Sequence, residues 1–600
     1  MKGIAIGLSN NSKEILKRLK KTEFVKDIYI AGSSKEDGKE NELIQVQKPR
    51  EILLKKWPEI DLIIFIGSIA ASIRIINSFL TSKDQDPGVI VIDNKCSKIV
   101  PLIGLHQSNT QNIACQIANL LGGEIIETNN SNDQSFLNLD AFGNQWGWKR
   151  SGKINDWSKL VIKQAKNEEI FCKQLSGNSL WKTSESGEII NQINEKEIEK
   201  PDSTFHVSIF ENHETTWHPP VLWIGIGCER NTSKELIANS LNNLFESGNL
   251  SQQSIAGFAT IDIKKDEKGI LELAEEKNLP IKFFSKEDLS TIIVPNPSNV
   301  VQKEIGTPSV AEASCLLAAG EESKLLEEKR IFKNQSGAVT IAVAESKNQY
   351  NPTHGEIHII GSGPGDISFL TNNARKALSR CTVWIGYKMY LDLIKPLKRN
   401  DQVLIESKLT EEKERCSKAI KLAEEGIKVA LISSGESGFY GMAGLLLELL
   451  QKIKKEYRPY FEVHPGISSV QLAAAISGAP LMNDFCSVSL SDKLTPWSLI
   501  EKRIEGALVG DFVIALFNPQ SIERNWQLKS VIDICLQSRH GDTPVLIARQ
   551  VGRENQTKKF FTLNTIPFKE IDMLSIIIIG NSQTTLVDEI FLTPRGYLQN

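Results

Sequence analysis

The sequence predicts a multidomain α/β protein in which an N-terminal pair of α/β blocks precedes a two-lobed α/β unit. Strand-like apolar runs alternate with helical patterns along most of the 600 residues, as expected of parallel sheets covered by helices. A polar stretch at 346–354 separates the two parts. Beyond this stretch, successive apolar runs break at glycine- or proline-containing turns, which indicates strands followed by short loops.

The first part contains two blocks. In residues 1–124, predicted strands and helices alternate in the order 4–8, 11–21, 62–66, 69–79, 89–93 and 109–121. In residues 217–345, a strand at 221–228 leads to a helix at 233–247 and a strand at 255–262. Residues 125–216 are rich in Asn, Ser, Lys and Glu, with scattered tryptophans. This composition predicts an irregular middle subdomain and linker.

The second part is predicted to form one lobe at 355–460 and another at 461–600, after a linker at 346–354. Its apolar runs lie at 355–360, 429–434, 460–463, 512–517 and 543–548. Loops at the carboxyl ends of such strands form ligand clefts in α/β sheets. The turn after the first strand contains Gly363, Pro364 and Gly365. It is not a dinucleotide-binding fingerprint, because Pro364 lacks the N–H group that a helix start would present.

Several motifs in residues 355–600 point to a family. They are the Gly-Pro-Gly turn and the segments 433–442 and 465–469, together with 386–391, 490–497 and 518–526. This part of the chain resembles the tetrapyrrole (precorrin) methyltransferases and, among them, precorrin-3B C17-methyltransferase. One difference is Gly435-Glu436, where the family usually has Gly-Asp. The carboxylate is kept but lies one methylene further from the backbone.

The resemblance implies S-adenosylmethionine as the methyl donor, with cobalt present only as part of the substrate. Asp492 is a candidate catalytic carboxylate, although its position before a helix start at 495–497 also suits a capping role. Tyr387, Tyr440 and Asn518 are candidate substrate-binding residues. The implied cofactor-binding residues are Gly363, Pro364, Gly365, Ser434, Gly435, Glu436, Ser468, Ser469, Phe517 and Gly552.

Motifs in the first part resemble a second family, cobalt-precorrin-5A hydrolase. The clearer ones lie at 225–232, 260–267, 306–312 and 335–340, and looser ones at 66–70, 86–93 and 101–114. The family usually has a Gly-His-x-Gly-Gly-Ala-Asn loop. This chain keeps His106 but has Ser108 and Asn109 at the glycine positions. If those glycines let the backbone approach the substrate's carboxylates, that approach is obstructed here.

Opening a lactone requires an activated water molecule and groups that stabilise the developing oxyanion. His106, Asp262 and Glu312 are candidates for proton transfer. Lys264, Arg230 and Thr232 are candidates for holding carboxylates or the oxyanion. We expect the hydrolytic centre where the His106 loop faces the strand end at 262–264. The alternatives are a loop histidine and a surface salt bridge, and no His pair has metal-ligand spacing, so no metal site is predicted.

Composition restricts the remaining possibilities. A net charge of −3 predicts no nucleic-acid partner. Nine cysteines without a Cys-x-x-Cys pair suit a reducing compartment. The apolar stretch 62–80 is interrupted by Gly67, Arg74 and Asn77, which favours a strand and helix over a membrane span. We therefore expect a cytoplasmic protein without a membrane partner.

Together, the resemblances predict a bifunctional enzyme of corrin-ring synthesis that acts on precorrin or cobalt-precorrin tetrapyrroles. One half would methylate C17 of (cobalt-)precorrin-3 and promote ring contraction. The other would open the cobalt-precorrin-5A lactone and release acetaldehyde. Two alternatives stay open: a non-catalytic corrinoid-binding module in the first half, and a methyltransferase for another ring position in the second. The methyltransferase half could also form a homodimer.

Overall fold

A computed structural model describes residues 2–31, 44–46, 48–81, 86–104, 110–126, 136–193, 201–211, 215–335, 337–521 and 524–597. The chain divides into two compact units, residues 1–134 and 135–600. Both units are α/β, as the sequence predicts. Within the described ranges, no helix has the length and apolar character needed to cross a membrane.

The first unit contains a seven-stranded sheet in the order β3-β2-β1-β4-β5-β6-β7. Two neighbouring strands, Leu62–Ile66 and Gly88–Ile92, are buried along their whole length, which explains their uninterrupted apolar sequences. The elements are β1 (Gly3–Gly7), α1 (Lys13–Lys20), β2 (Asp27–Ala31), β3 (Ile44–Val46), α2 (Pro49–Lys56), β4 (Leu62–Ile66), α3 (Ile69–Ile76), β5 (Gly88–Ile92), β6 (Lys98–Ile103), α4 (Thr110–Leu121) and β7 (Glu124–Ile125).

The middle segment is not irregular, contrary to the prediction. It contains a five-stranded sheet in the order β10-β9-β11-β12-β8. The strands are only two to four residues long, so they carry too few positions to show a period of two in the sequence. The elements are α5 (Phe142–Gln145), β8 (Lys149–Ser151), α6 (Ile154–Ala165), β9 (Phe171–Gln174), α7 (Glu185–Glu188), β10 (Asn191–Gln192), β11 (Thr204–Val207) and β12 (Thr216–His218).

The block that follows has a sheet in the order β15-β14-β13-β17-β16, with β13 at its centre. Strand β13 is parallel to β14 and antiparallel to β17. The elements are β13 (Leu222–Cys228), α8 (Lys234–Gly248), β14 (Ile255–Ile261), α9 (Lys268–Lys277), β15 (Ile281–Phe284), α10 (Lys286–Ser290), α11 (Asn299–Glu304), α12 (Ala311–Ala319), β16 (Lys324–Asn334) and β17 (Gly337–Glu345).

The first predicted methyltransferase lobe is a fully parallel sheet in the order β20-β19-β21-β18-β22. All of its strands therefore end at the same edge. The elements are β18 (Glu356–Gly361), α13 (Asn372–Arg380), β19 (Val383–Tyr387), α14 (Lys388–Ile394), β20 (Val403–Ser407), α15 (Glu412–Glu424), β21 (Lys428–Ser433), α16 (Ala443–Gln451) and β22 (Tyr460–His464). The next helix, α17 (Ser469–Ser477), packs on the sheet of the second lobe.

The second lobe has a mixed sheet in the order β24-β25-β28-β26-β27 and a small sheet in the order β23-β30-β29. Strands β25 and β26 are both antiparallel to β28, so their following loops lie at one edge. The elements are β23 (Gly478–Ala479), β24 (Phe485–Ser489), α18 (Trp497–Val509), β25 (Val513–Phe517), α19 (Gln527–Ser538), β26 (Pro544–Arg549), β27 (Thr557–Thr562), β28 (Ser575–Ile579), β29 (Thr585–Val587) and β30 (Ile590–Leu592).

The middle sheet and the first methyltransferase lobe share one apolar core. On the lobe side, the core includes Ile357 on β18, Val383 on β19 and Val429 on β21. The middle segment contributes large aromatic side chains to this core, namely Phe142, Trp146, Trp148, Trp157, Trp181, Phe205 and Trp217. Burying a large aromatic side chain is worth about 1.5–3 kcal/mol or more, so this core contributes strongly to the stability of the second unit.

The predicted linker at 346–354 takes part in the same packing. Gln349 is 2% exposed. Its amide nitrogen donates to the carbonyl oxygens of Trp146 and Glu425, each at 2.7 Å. Its amide oxygen accepts a hydrogen bond from the Trp148 ring nitrogen, also at 2.7 Å. One buried side chain therefore joins the middle segment to the methyltransferase lobe. The domain boundaries themselves stay predictions.

Replacing Gln349 with Leu should lower the free energy of unfolding of the second unit by about 2–4 kcal/mol, because several buried partners lose their hydrogen bonds. Gln451→Leu, at an exposed position near the end of α16, is the matched control and should have little effect. Calorimetry on the full chain measures both. Equal unfolding temperatures for Gln349→Leu and the wild type would contradict this prediction.

Three loops at the edge of the parallel sheet touch through their backbones. A Cβ atom on Gly466 would lie 2.1 Å from the carbonyl oxygen of Gly435 and 2.6 Å from that of Gly361. Gly435 has φ 63°, in the left-handed region that favours glycine. The loops also exchange hydrogen bonds, since the amides of Gly363 and Gly435 each donate to the other's carbonyl oxygen at 3.1 and 2.8 Å. The loops can meet because Gly361 and Gly466 lack side chains and Gly435 adopts a left-handed backbone.

Gly466→Ala should therefore destabilise the protein by about 1–3 kcal/mol, the usual cost of forcing extra atoms into a packed site. The matched control is Gly506→Ala within α18, where a new Cβ atom would meet nothing within 4 Å. That change should stabilise slightly, by up to about 1 kcal/mol, because Ala favours helix more than Gly does. The two thermal unfolding midpoints should move in opposite directions, and a shared direction would argue against the backbone contact.

Candidate active site

The loops at the carboxyl ends of the strands surround a cavity of about 180 Å³. Both lobes contribute to its wall. The first lobe supplies loops that follow β18, β21 and β22, and the second supplies loops that follow β25 and β26. The lining residues are Pro364, Tyr390, Ser434, Gly435, Glu436, Phe439, Tyr440, Ser468, Ser469, Phe517, Asn518, Gln550, Val551, Arg553, Met573, Leu574, Ser575 and Ile576.

Three lining residues other than glycine have strained backbones. Tyr440, Asn518 and Gln550 have φ values of 57°, 50° and 51°. Such values are uncommon outside glycine and are rarer still for a bulky aromatic residue. Each of three loops that face the cavity thus contributes one residue in this conformation, which is common at functional sites but also occurs elsewhere in this chain.

Glu436 holds two of these loops together. One carboxylate oxygen accepts from the amide of Gly438 at 2.8 Å, and the other accepts from the amide of Gly466 at 2.8 Å. The second contact spans from the loop after β21 to the loop after β22. The extra methylene that distinguishes Glu436 from an aspartate gives this side chain a longer reach across the gap.

Most of the predicted cofactor-binding residues line the cavity, and the remaining ones lie behind it. A Cβ atom on Gly365 would lie 2.2 Å from the carbonyl oxygen of Gly552, and the amide of Asp366 donates to that oxygen at 2.6 Å. Gly363, Gly365 and Gly552 therefore bring loops together. The residues that face the cavity are Pro364, Ser434, Gly435, Glu436, Ser468, Ser469 and Phe517.

The predicted substrate-side residues separate into two groups. Tyr440 and Asn518 line the cavity, where the Tyr440 hydroxyl donates to the carbonyl oxygen of Ser487 at 2.9 Å. Tyr387 does not line the cavity, but its ring packs on that of the lining residue Tyr390, with the ring centroids 5.2 Å apart. Asp492 accepts a hydrogen bond from Gln527 at 2.9 Å and is not among the cavity-lining residues.

Sequence reasoning missed Tyr390 and Arg553. Burial raises the pKa of Tyr390, so this hydroxyl stays protonated and can donate a hydrogen bond. Arg553 lies 3.4 Å from the carbonyl oxygen of Pro364 and 3.2 Å from the sulfur of Met389. No ion pair with a carboxylate is found for Arg553 within the described ranges. In the sequence, the only indication of a role for Arg553 is that it directly follows Gly552, a predicted cofactor-binding residue.

In the block that starts at β13, two of the predicted hydrolase residues, Lys264 and Arg230, form ion pairs with carboxylates of the same block. The Lys264 ammonium is 9% exposed and lies 3.1 Å from the Glu267 carboxylate, which is 2% exposed. Arg230 lies 3.8 Å from the same carboxylate and 2.5 Å from that of Asp266. Glu267 was not predicted, and it already neutralises the lysine expected to hold a substrate carboxylate.

The other candidates of this block have different surroundings. Thr232 is buried and donates to the carbonyl oxygen of Glu229 at 2.9 Å. Glu312 is fully buried at the start of α12, where one oxygen accepts from Asn296 at 2.9 Å and the other has no partner among the described atoms. Asp262 begins a short turn and is half-buried. Burial raises the pKa of the nearby Cys228 to about 11, so its thiol is uncharged at neutral pH.

The remaining hydrolase candidate, His106, lies outside the described residues. Its loop belongs to the first unit, and Asp262 and Lys264 belong to the second. The predicted juxtaposition of that loop with the strand end therefore stays a prediction.

Three family matches cover different parts of the chain. Residues 356–567 match the tetrapyrrole (corrin/porphyrin) methylases. Residues 222–344 match the cobalamin synthesis G C-terminus, and residues 51–132 match the cobalamin synthesis G N-terminal segment. These matches confirm the fusion that the motifs indicate.

Proteins named as methyltransferases match the part of the chain that follows the 346–354 stretch. The chain is 44% identical over 241 residues to the probable cobalt-factor III C(17)-methyltransferase of Salmonella typhimurium, covering 40% of this chain and 99% of that protein. It is 44% identical over 245 residues to the cobalt-factor III methyltransferase of Priestia megaterium, covering 40% of this chain but only 45% of that protein. The crystal structure of the methyltransferase CobJ matches with 32% identity and a TM-score of 0.39, covering 40% of this chain and 100% of that one.

The matched methylase segment contains all the cavity-lining residues except those at 573–576. The high identity extends over almost the whole length of the Salmonella protein. The chain belongs to the tetrapyrrole methylase family, in an arrangement that places two cobalamin synthesis G segments ahead of the methylase segment.

Proposed function

We propose that the chain is a bifunctional enzyme of corrin-ring synthesis. Its second part transfers a methyl group from S-adenosylmethionine to C17 of (cobalt-)precorrin-3 and promotes ring contraction. Its first part opens the cobalt-precorrin-5A lactone and releases acetaldehyde. The partners are precorrin or cobalt-precorrin tetrapyrroles, and a homodimer of the methyltransferase part stays one option for its assembly.

One observation carries the methyltransferase proposal: five loops from two lobes meet around one cavity in the segment that matches a C17-methyltransferase of Salmonella typhimurium over 99% of its length. The wall offers what S-adenosylmethionine requires. Ser434, Ser468 and Ser469 supply hydroxyl groups for polar contacts. The Phe439 and Phe517 rings, 5.2 Å apart, supply apolar surface, and Arg553 supplies a cation.

Methyl transfer requires the protein mainly to orient the two reactants. When bound, S-adenosylmethionine supplies an electrophilic methyl group, which the nucleophilic ring carbon takes by in-line displacement. Glu436 fixes the separation of two loops and thereby the width of the cavity. Tyr440 and Asn518 line the same cavity and are the proposed contacts of the tetrapyrrole. Holding two reactants in the correct geometry can lower a barrier by several kcal/mol, roughly 7–11 kcal/mol at best.

The hydrolase proposal depends on Asp262, which lies at the carboxyl end of β14, beside the Lys264–Glu267 pair. A half-buried carboxylate at a strand end can accept a proton from an attacking water molecule. Arg230 is 52% exposed, so its guanidinium can reach a carboxylate of a large polyanionic substrate. His106 and Glu312 remain the other candidates for proton transfer.

A second candidate function for the first part is a non-catalytic corrinoid-binding module. It is favoured by the ion pair between Lys264 and Glu267, because a cation that is already neutralised binds an incoming carboxylate weakly. The Ser108 and Asn109 substitutions in the family's glycine loop favour it too. For the second part, methylation at another ring position remains the alternative.

Isothermal titration of the full chain with S-adenosylmethionine should detect binding without any tetrapyrrole. Arg553→Ala should weaken the binding of a carboxylate-bearing reactant about 10–100-fold, because it removes a charge-assisted hydrogen bond worth about 1.5–3 kcal/mol. Both reactants carry carboxylates, so separate titrations with the cofactor and with the tetrapyrrole identify the partner. Arg503→Ala, at an exposed position on α18, is the matched control. A folded chain that gives no heat with S-adenosylmethionine would refute the methyltransferase proposal.

Incubation of the full chain with cobalt-precorrin-5A should release acetaldehyde. Asp262→Asn should slow the release by about 10²–10⁴-fold, the range that a general base contributes. Glu276→Gln, which changes a carboxylate 58% exposed on α9, should leave the rate unchanged. If the wild type releases none from the authentic lactone, the binding-module function replaces hydrolysis. Mass spectrometry of the methylated product separately decides the ring position.

A further inference from the structure

Two histidines and a glutamate come together where β18 and β22 lie side by side. His358 Nδ1 lies 2.9 Å from His464 Nε2. The nearest carboxylate oxygen of Glu462 lies 3.9 Å from the former and 3.7 Å from the latter. The parallel register pairs His358 with Glu462, so the three side chains share one face of the sheet. This face lies apart from the cavity-lining residues.

We propose that His358, Glu462 and His464 form a binding site for one divalent transition-metal ion of the Zn²⁺ or Co²⁺ type. Two imidazole nitrogens and one carboxylate oxygen match the donor set of zinc sites that keep a further position open. The three ligand atoms lie within 4.8 Å of one another.

The spacing of the donors suits such an ion. Bonds of about 2.0–2.1 Å in a tetrahedral arrangement place neighbouring ligand atoms about 3.3 Å apart. The distances of 2.9, 3.7 and 3.9 Å lie on either side of that value. Shifts of a few tenths of an ångström in the side chains would equalise them. Glu462 is 47% exposed, so the ion can reach the site from solvent.

A second carboxylate orients the most buried ligand. His358 Nε2 lies 2.8 Å from a carboxylate oxygen of Glu356. When that ring nitrogen carries the proton and donates it to Glu356, the lone pair of Nδ1 faces the proposed ion. Metal-bound histidines almost always have such a partner on their other nitrogen. Glu356 is held in turn by Lys428 at 2.5 Å and Arg380 at 3.4 Å.

The position of the site suggests a structural role. Strand β18 ends at Gly361, where the loop with Pro364 begins, and β22 ends at His464, immediately before the 465–469 loop. An ion held by residues of both strands would fix the distance between the two strand ends. It would thereby fix two of the loops that line the cavity. This inference does not depend on which methyl acceptor the enzyme uses.

The site is tested with the untagged full chain, stripped of metal with a chelator and titrated with Zn²⁺ by calorimetry and with Co²⁺ by visible absorption. We expect one equivalent of each ion to bind, and Co²⁺ to give the intense absorption of four-coordinate geometry. Glu462→Gln and His464→Asn should each lower the affinity at least tenfold. Glu356→Gln should lower it about 10–100-fold, as for other residues that orient metal ligands.

The matched control is His540→Asn, which removes a histidine that is 83% exposed and should leave the affinity unchanged. Glu462 is half exposed, so Glu462→Gln should fold normally, which circular dichroism checks. The proposal is overturned if the wild type binds neither ion. It is equally overturned if Glu462→Gln and His464→Asn both bind Zn²⁺ as tightly as the wild type, or if bound Co²⁺ shows only the weak spectrum of a hydrated ion.

Discussion

The direct contact between the loop backbones determines the shape of the cavity. Gly361 and Gly466 approach the loop that contains Gly435 so closely that a methyl group on either residue would lie within 3.0 Å of the Gly435 carbonyl oxygen. Side chains that reach the cavity, such as Tyr440, therefore project from loops whose separation is fixed by these backbone contacts together with the Glu436 hydrogen bonds. A second contact of this kind, between Gly365 and Gly552, brings the two lobes together. The cavity is thus formed between lobes without an intervening layer of side chains.

Much of this arrangement could be predicted from the sequence, because long buried strands leave uninterrupted apolar runs and their ends are marked by glycine. The chain segments around Gly435, Ser468 and Phe517 were identified in this way. The role of the glycines was harder to infer. A glycine that admits a ligand and a glycine that admits another loop give the same sequence pattern, and only the fold distinguishes them. Tyr390 lies within the 386–391 motif and Arg553 follows Gly552, but the sequence does not indicate that these two side chains face the cavity.

The sequence was least informative where contacts join residues far apart in the chain. Glu267 neutralises Lys264, and His358 meets His464 across 106 residues. Neither pair has a spacing that predicts contact. The middle segment was misread for a related reason. Its strands are short, and its tryptophans belong to a core that also includes side chains of the sheet beginning at residue 356, so its own composition does not reveal a partner.

The shared tryptophan core also has a consequence for synthesis on the ribosome. Residue 217, the last of these tryptophans, is made 233 residues before residue 450, the last buried contact on the methyltransferase side. At roughly 5–20 residues per second, the shared core waits about 12–47 s for its last members. During that interval the core is incomplete, and its unpaired apolar side chains are open to other nascent chains. Slow translation of this segment would prolong the exposure, and a chaperone that binds the nascent chain early would protect the exposed side chains.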